Sequence, residues 1–168
     1  MEIIFITGGA RSGKSKFAQQ LALEKTTNPI YIATARRWDS DFENRIARHQ
    51  SDRGNNWQTI EKEKNISDIC LEGKVAVLDC ITLWLTNIFA DCNFDFQKTL
   101  DEAIAEWKKF SENEGFVLVV SNELGMGVHP ENEAARKFAD IQGWVNQLIA
   151  KNANEVYLMV SGIPLKVK

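Results

Sequence analysis

Cysteine and proline are scarce, three of each in 168 residues, and the chain has neither a strong excess of one charge nor an apolar run of membrane-spanning length. Cys70, Cys80 and Cys92 are odd in number and lack C-x-x-C spacing, which argues against a disulfide framework and a zinc site and fits a reducing compartment. No Pro-rich linker, internal repeat or low-complexity tract divides the chain, so residues 1–168 are expected to form one domain. Twenty Lys and Arg against 23 Asp and Glu give a formal charge of −3, which argues against a general affinity for nucleic acid or anionic membrane while leaving room for a local basic patch. Met1-Glu2 leads directly into an apolar run without a basic leader, so the expectation is a cytoplasmic protein with no membrane span.

What is present is 44% hydrophobic residues, enough for a substantial core, arranged as short apolar runs alternating with longer helical patterns. That rhythm predicts an α/β fold with a mainly parallel central sheet flanked by helices. The buried strands are expected at Ile3 to Thr7, Ile30 to Ala33, Val75 to Leu78, Phe116 to Val120 and Val156 to Val160, with a short terminal strand at Leu165 to Val167. Helices are expected over Lys14 to Lys25, Asp41 to Ser51, Thr82 to Ala90, Phe96 to Asn113 and Glu131 to Asn152. The least regular stretch, Asp52 to Gly73, is broken by Gly54-Asn55-Asn56, can hold an extended segment at Trp57 to Ile60, and is assigned to one face of the same domain.

The strongest motif is Gly8-Gly9-Ala10-Arg11-Ser12-Gly13-Lys14-Ser15, a G-x-x-x-x-G-K-S phosphate loop between the first apolar strand and an amphipathic stretch carrying Phe17, Leu21 and Leu23. Its glycines let successive backbone N–H groups turn towards phosphate oxygens, and the helix that follows adds a favourable partial charge. This places the chain among phosphate-loop (P-loop) NTPase-type domains, with Lys14 on the β- and γ-phosphates and Ser15 as a ligand of Mg²⁺.

Ligands of parallel α/β sheets gather at the carboxyl ends of the strands, which directs attention to the polar residues there. Asp79 closes Val75-Ala76-Val77-Leu78 in the manner of a Walker B strand, whose carboxylate helps hold Mg²⁺; an N-cap for the next helix is the lesser alternative. Glu123 follows Ser121-Asn122 and is read equally as a metal, water or substrate contact or as part of a loop made pliable by Gly125-Met126-Gly127.

Arg45, Arg48, His49 and Arg53 fall at i, i+3, i+4 and i+8, one face of a helix and a good match to polyphosphate. A solvated basic helix is the alternative, but the phosphate loop favours chemistry, because an imidazole with an ordinary pKa near ~6.5 serves as a neutral nucleophile or proton carrier. Of the two histidines His49 is the candidate, while His129 beside Pro130 reads as a loop residue.

Several segments together resemble one family, the bifunctional adenosylcobinamide kinase/adenosylcobinamide-phosphate guanylyltransferases of cobalamin biosynthesis. Beside the phosphate loop they are Tyr31-Ile32-Ala33-Thr34-Ala35, Arg45-Ile46-Ala47-Arg48-His49 through Arg53, Trp57 to Glu61, Leu78-Asp79-Cys80-Ile81-Thr82-Leu83-Trp84, Ser121-Asn122-Glu123-Leu124-Gly125-Met126-Gly127, Pro130-Glu131-Asn132 and Val160 to Leu165. The resemblance implies phosphorylation of the adenosylcobinamide hydroxyl and then transfer of GMP from GTP through a GMP-histidine intermediate on His49, with release of pyrophosphate. It implies ATP and GTP as substrates, a homotrimer, and nucleotide contacts from Gly8 to Ser15, Ala33, Thr34, Ala35, Gln50, Ser51, Asp52, Arg53, Glu61 and Asp79. His129 stands where the family more often has an aliphatic residue, and Arg36-Arg37-Trp38 is more basic and bulkier than usual. A simple small-molecule kinase and a nucleotide-dependent switch are the competing readings; no N-K-x-D guanine-reading segment of the GTPase type is present.

Overall fold

Alternating side chains on the central strands are buried on opposite faces, so these strands need covering from both sides. In the computed structural model, which describes residues 1–37, 54 and 56–168, Ile3 and Phe5 enter one core cluster while Ile4 and Ile6 enter the other. Ile30 and Ile32 against Tyr31, and Ala76 and Leu78 against Val77, repeat the division.

The described strands are β1 (Glu2–Gly8), β2 (Ile30–Ala33), β3 (Gln58–Glu61), β4 (Val75–Asp79), β5 (Phe116–Asn122), β6 (Glu155–Val160) and β7 (Ile163–Lys166). They form one sheet in the order β3-β2-β4-β5-β1-β6-β7. Every neighbouring pair is parallel except β6 with β7, so the sheet is mixed, with one antiparallel edge. The terminal strand begins earlier than expected because Ser161 and Gly162, both at positive φ, turn the chain straight back on β6.

The helices are α1 (Lys14–Lys25), α2 (Ile81–Asp91), α3 (Phe96–Ser111) and α4 (Glu133–Asn152). Residues 38–53, including the helix expected over Asp41 to Ser51, lie outside the described residues. Asp95 caps α3 by accepting from the Lys98 amide, and Asn132 caps α4 by accepting from Ala135, so α4 starts two residues later than expected.

The face of α1 differs from the expectation. Ala18 and Ala22 are fully buried, Phe17 and Leu21 pack at the margin, and Leu23 is exposed. Small side chains allow the helix to lie close to the sheet, which brings its N-terminus to the end of β1. On the opposite face Trp84, Leu85 and Ile88 of α2, Trp107 and Phe110 of α3, and Ile141, Val145 and Ile149 of α4 build the larger core. Burying each aliphatic side chain contributes roughly 1.5–3 kcal/mol before conformational entropy is counted.

The stretch assigned from sequence to a face is divided. β3 lies in the sheet as its edge strand, one residue later than the extended segment expected at Trp57, because its backbone finds partners along β2. Ile66, Ile69 and Leu71 then turn into the core cluster that α3 shares.

Candidate functional site

Parallel register brings the strand ends to one edge. Gly8 lies beside Asn122, Ala33 beside both Asp79 and Glu61, and Asp79 beside Val120. The glycine-rich sequence leaves β1 at this edge, and its backbone needs the conformations that glycine permits. Gly8 has φ +150°, and a Cβ there would stand 2.7 Å from the Met159 carbonyl oxygen; Gly13, the N-cap of α1, has φ +92°. Arg11, with φ +57°, is exposed between them.

The loop is held from three sides. The Gly162 amide donates to the Ser12 carbonyl at 3.0 Å, the Glu123 amide donates to the Gly8 carbonyl at 3.0 Å, and the Ser12 amide donates back to Gly9 at 3.3 Å. Lys14 opens α1 and is 93% buried, with Nζ donating to the Gly9 carbonyl at 2.6 Å. Burial lowers its pKa, while Cys80 and then Asp79 act in the opposite direction. The hydroxyls of Thr7 and Ser12 are buried with no hydrogen-bond partner among the described residues. Ser15, one residue after Lys14, is half-buried.

Asp79 does not cap α2. The N-cap position belongs to Cys80, which makes no side-chain cap, and Asp79 Oδ2 instead accepts from the Tyr31 hydroxyl at 2.7 Å. Strand alternation puts Tyr31 and Asp79 on the α1 side of the sheet, the side from which Lys14 approaches. Tyr31 was missed from sequence because it reads as an ordinary aromatic strand residue.

Thr34 is fully buried and committed to the next turn of chain. Its hydroxyl donates to the Cys80 carbonyl at 2.7 Å and accepts from the Cys80 amide at 2.8 Å. Ala33 and Ala35 are half-buried beside it, and Glu61, at the end of β3, is exposed and 3.9 Å from Arg37. The Cys80 thiol is pushed up to about 12 by burial, with the Asp79 charge adding to the effect.

Behind the end of β5 lies a polar cluster that sequence reasoning did not find. Gln142 Nε2 donates to Thr82 Oγ1 at 2.7 Å, to Ser121 Oγ at 3.0 Å and to the Asn122 carbonyl at 3.0 Å. Asn146 accepts from Ser121 at 2.7 Å and donates to Asn122 at 3.1 Å. The available signal was an i, i+4 polar pair next to the apolar stripe Ile141, Val145 and Ile149. Glu123 emerges from this base and accepts from the Gly125 amide at 2.6 Å, an arrangement that shapes its own loop. His129 is exposed further along that loop.

His49 and Gln50, Ser51, Asp52 and Arg53 lie outside the described residues. Of the other sequence candidates, the structure brings together the phosphate loop, Lys14, Asp79 and, through Cys80, Thr34.

A glycine-rich loop joining a parallel strand to a helix, with a buried lysine and a strand-end carboxylate beside it, defines an α/β nucleotide-binding protein. The family model for cobinamide kinase/cobinamide phosphate guanyltransferase matches residues 4–167. The chain is 38% identical over 167 residues to the bifunctional adenosylcobalamin biosynthesis protein CobP of Pseudomonas aeruginosa, covering 97% of this chain and 95% of that protein. It is 37% identical over 182 residues to the corresponding CobU proteins of Escherichia coli and Salmonella typhimurium, covering 99% of each chain. The chain therefore belongs to the cobinamide kinase/cobinamide phosphate guanyltransferase family, the bifunctional ATP- and GTP-using transferases of cobalamin biosynthesis. Among the described residues no helix is long and apolar enough to cross a membrane.

Proposed function

We propose that one phosphate-loop NTPase-type domain, formed by the whole chain, carries out both reactions at the edge where β1, β4 and β5 end. Gly8 to Ser15 hold the polyphosphate of the nucleotide, and Lys14 supplies the cation on the β- and γ-phosphates. The observation that carries this reading is the buried Lys14 ammonium, which rests on the Gly9 carbonyl within the electrostatic reach of Asp79. Burying a cation is costly unless a counter-charge arrives, and a polyphosphate is such a partner.

The donor set beside the loop suits magnesium, which favours a few hard oxygens and keeps waters and phosphate oxygens as its remaining ligands. Ser15 Oγ and the Asp79 carboxylate would hold it, directly or through water, with Tyr31 orienting Asp79. When bound, the ion neutralises charge on the departing phosphates. Ala33, Thr34, Ala35, Gln50, Ser51, Asp52, Arg53 and Glu61 are the further nucleotide contacts in this reading. Thr34 contributes by fixing the turn beside the nucleotide, since its hydroxyl is used by Cys80, its amide by the Asp79 carbonyl and its carbonyl by Asn87.

In the kinase reaction the hydroxyl of adenosylcobinamide attacks the γ-phosphorus of the donor, the bond to the β-phosphate oxygen breaks, nucleoside diphosphate leaves, and the hydroxyl proton passes to solvent. In the second reaction a neutral nitrogen of His49 attacks the α-phosphorus of GTP. The bond to the β-phosphate oxygen breaks, and pyrophosphate leaves. A phosphate oxygen of adenosylcobinamide phosphate then attacks the same phosphorus, the N–P bond breaks, and the imidazole returns with its lone pair. Lys14 steadies the charge on the departing nucleoside diphosphate and pyrophosphate. The reading also includes a homotrimer and a cytoplasmic location, the latter supported by three unpaired cysteines. It assigns no nucleic-acid or membrane partner.

Incubation with α-labelled GTP should give an acid-labile protein label that His49→Ala abolishes, with part of the kinase activity retained. A label that survives His49→Ala, or equal loss of both activities, would refute the assignment.

A further inference from the structure

β5 lies between β1, which leads into the phosphate loop, and β4, which ends in Asp79, so the residue that closes β5 stands between the two. That residue is Asn122. In the parallel register it pairs with Gly8 on one side, while on the other Asp79 is level with Val120, so Asn122 reaches roughly 6.5 Å further towards the open edge than Asp79. Leu118 and Val120 point into the core on the α1 side and Ser121 points to α4, so alternation returns the Asn122 side chain to the side of Lys14 and Asp79. Gly8, its neighbour across the sheet, has no side chain to cover it.

The backbone and the side chain of Asn122 are treated differently. The amide donates to Thr82 Oγ1 at 3.0 Å, and the carbonyl accepts from Gln142 Nε2 at 3.0 Å and Asn146 Nδ2 at 3.1 Å. Ser121 and Gln142 are fully buried, and Thr82 and Asn146 nearly so. Four polar side chains thus occupy core volume, and Gln142 Oε1 finds no partner among the described residues, which costs stability relative to apolar packing. What the cluster secures is the position of one peptide. The Asn122 carboxamide, by contrast, is half-buried and makes no hydrogen bond among the described residues. A rigid strand end that carries a free N–H donor beside a phosphate loop suits a phosphoryl oxygen, because the donor needs no reorganisation to meet it.

The geometry points to Asn122 as a catalytic residue of the kinase reaction: its Nδ2 donates to an oxygen of the γ-phosphoryl group, most strongly while that group passes to adenosylcobinamide. The inference rests on the reading that Gly8 to Ser15 hold the polyphosphate. In this step the bond from the γ-phosphorus to the β-phosphate oxygen breaks and a bond to the substrate hydroxyl oxygen forms. The hydroxyl proton goes to solvent, and the carboxamide keeps both of its own. A donor that meets only the γ-phosphoryl group distinguishes a nucleoside triphosphate from a diphosphate.

Asn122→Ala removes the carboxamide and leaves the backbone hydrogen bonds of the residue in place, so the variant should fold. Binding of ADP and of the β,γ-imido analogue of ATP is titrated with Mg²⁺ and adenosylcobinamide present, beside the steady-state kinase rate. Asn122→Ala should bind the analogue about tenfold more weakly, hold ADP within about twofold of wild type, and lose about thirtyfold or more in kcat. Asn122→Asp has the same shape but only accepts hydrogen bonds when ionised, and it should lose more affinity for the analogue than the alanine variant. An aspartate variant that holds the analogue as wild type does would overturn the proposal. Lys14→Met separates the two assignments. If it binds both nucleotides as wild type does, the phosphate-loop reading falls and this proposal with it. If it weakens both, the phosphate-loop reading stands. The proposal is then overturned where Asn122→Ala weakens both nucleotides equally, weakens neither, or keeps kcat within about twofold of wild type.

Discussion

Replacing Thr34 by valine keeps the side-chain shape and removes a single hydroxyl, and the structure specifies what that hydroxyl does. It is the acceptor for the Cys80 amide at 2.8 Å and a donor to the Cys80 carbonyl at 2.7 Å, in a fully buried setting. The two losses are unequal. The Cys80 carbonyl still receives the Trp84 amide at 3.1 Å. Losing the threonine donor there should therefore cost only about 0.5–1.5 kcal/mol. The Cys80 amide loses its acceptor, and a buried donor left unpaired costs about 1–3 kcal/mol. Burying one more methyl returns up to about 0.8 kcal/mol, so the net destabilisation should be about 2 kcal/mol, within about 1–4 kcal/mol. At about 2 kcal/mol, a chain of this size loses roughly 4–8 °C in Tm.

Urea unfolding of Thr34→Val should show an earlier midpoint at unchanged m, while Thr34→Ser, which keeps the hydroxyl and loses one buried methyl, should fall only about 0.8 kcal/mol below wild type. GTP titration of the folded variant should show a much smaller loss than the stability change. A Thr34→Val protein as stable as wild type but unable to hold GTP would refute this reasoning, since the hydroxyl would then serve the nucleotide and not the turn.

Lys14→Met should abolish nucleotide turnover. Because burial lowers the folded-state pKa of Lys14, its penalty is present below that pKa and vanishes above the unfolded value of about 10.4. The unliganded wild type should therefore gain stability as pH rises through that window, and Lys14→Met should lack the rise and be no less stable at pH 7. Denaturant titrations at a series of pH values check this; a variant less stable by more than about 1 kcal/mol at pH 7 would contradict it. Iodoacetamide at pH 8 should modify exposed Cys70 first and Cys92 slowly. Cys80, with its thiol near 12, should be spared until the protein unfolds, as peptide mapping would reveal.

Much of the fold was legible because the central strands are buried on both faces and so appear as continuous apolar runs. Of the two helices with side-chain N-caps, α3 starts after Asp95 where it was expected, while Asn132 moves the start of α4 on to Glu133. β3 was less legible: Gln58, Thr59, Ile60 and Glu61 are mostly exposed, and only pairing with β2 makes them a strand. Leu23 misled for the opposite reason, because the helix face with the largest side chains is not the one that lies closest to the sheet.

By itself the sequence determined the glycine-rich turn from β1 into α1, because Gly8 and Gly13 stand where the backbone takes positive φ, and it determined Asp79 as a strand-end carboxylate. Only the tertiary structure decided what Asp79 and Thr34 touch. Tyr31 reaches Asp79 across the sheet from β2, and Cys80 meets Thr34 across the same pair of strands. The same is true of α2, whose Asn87 and Asp91 look like ordinary polar interruptions of a helix until the fold brings Thr34, Arg36 and Glu63 to them. Local backbone chemistry is written in neighbouring residues, whereas hydrogen bonds between distant segments exist only after parallel pairing has brought the strand ends to one edge.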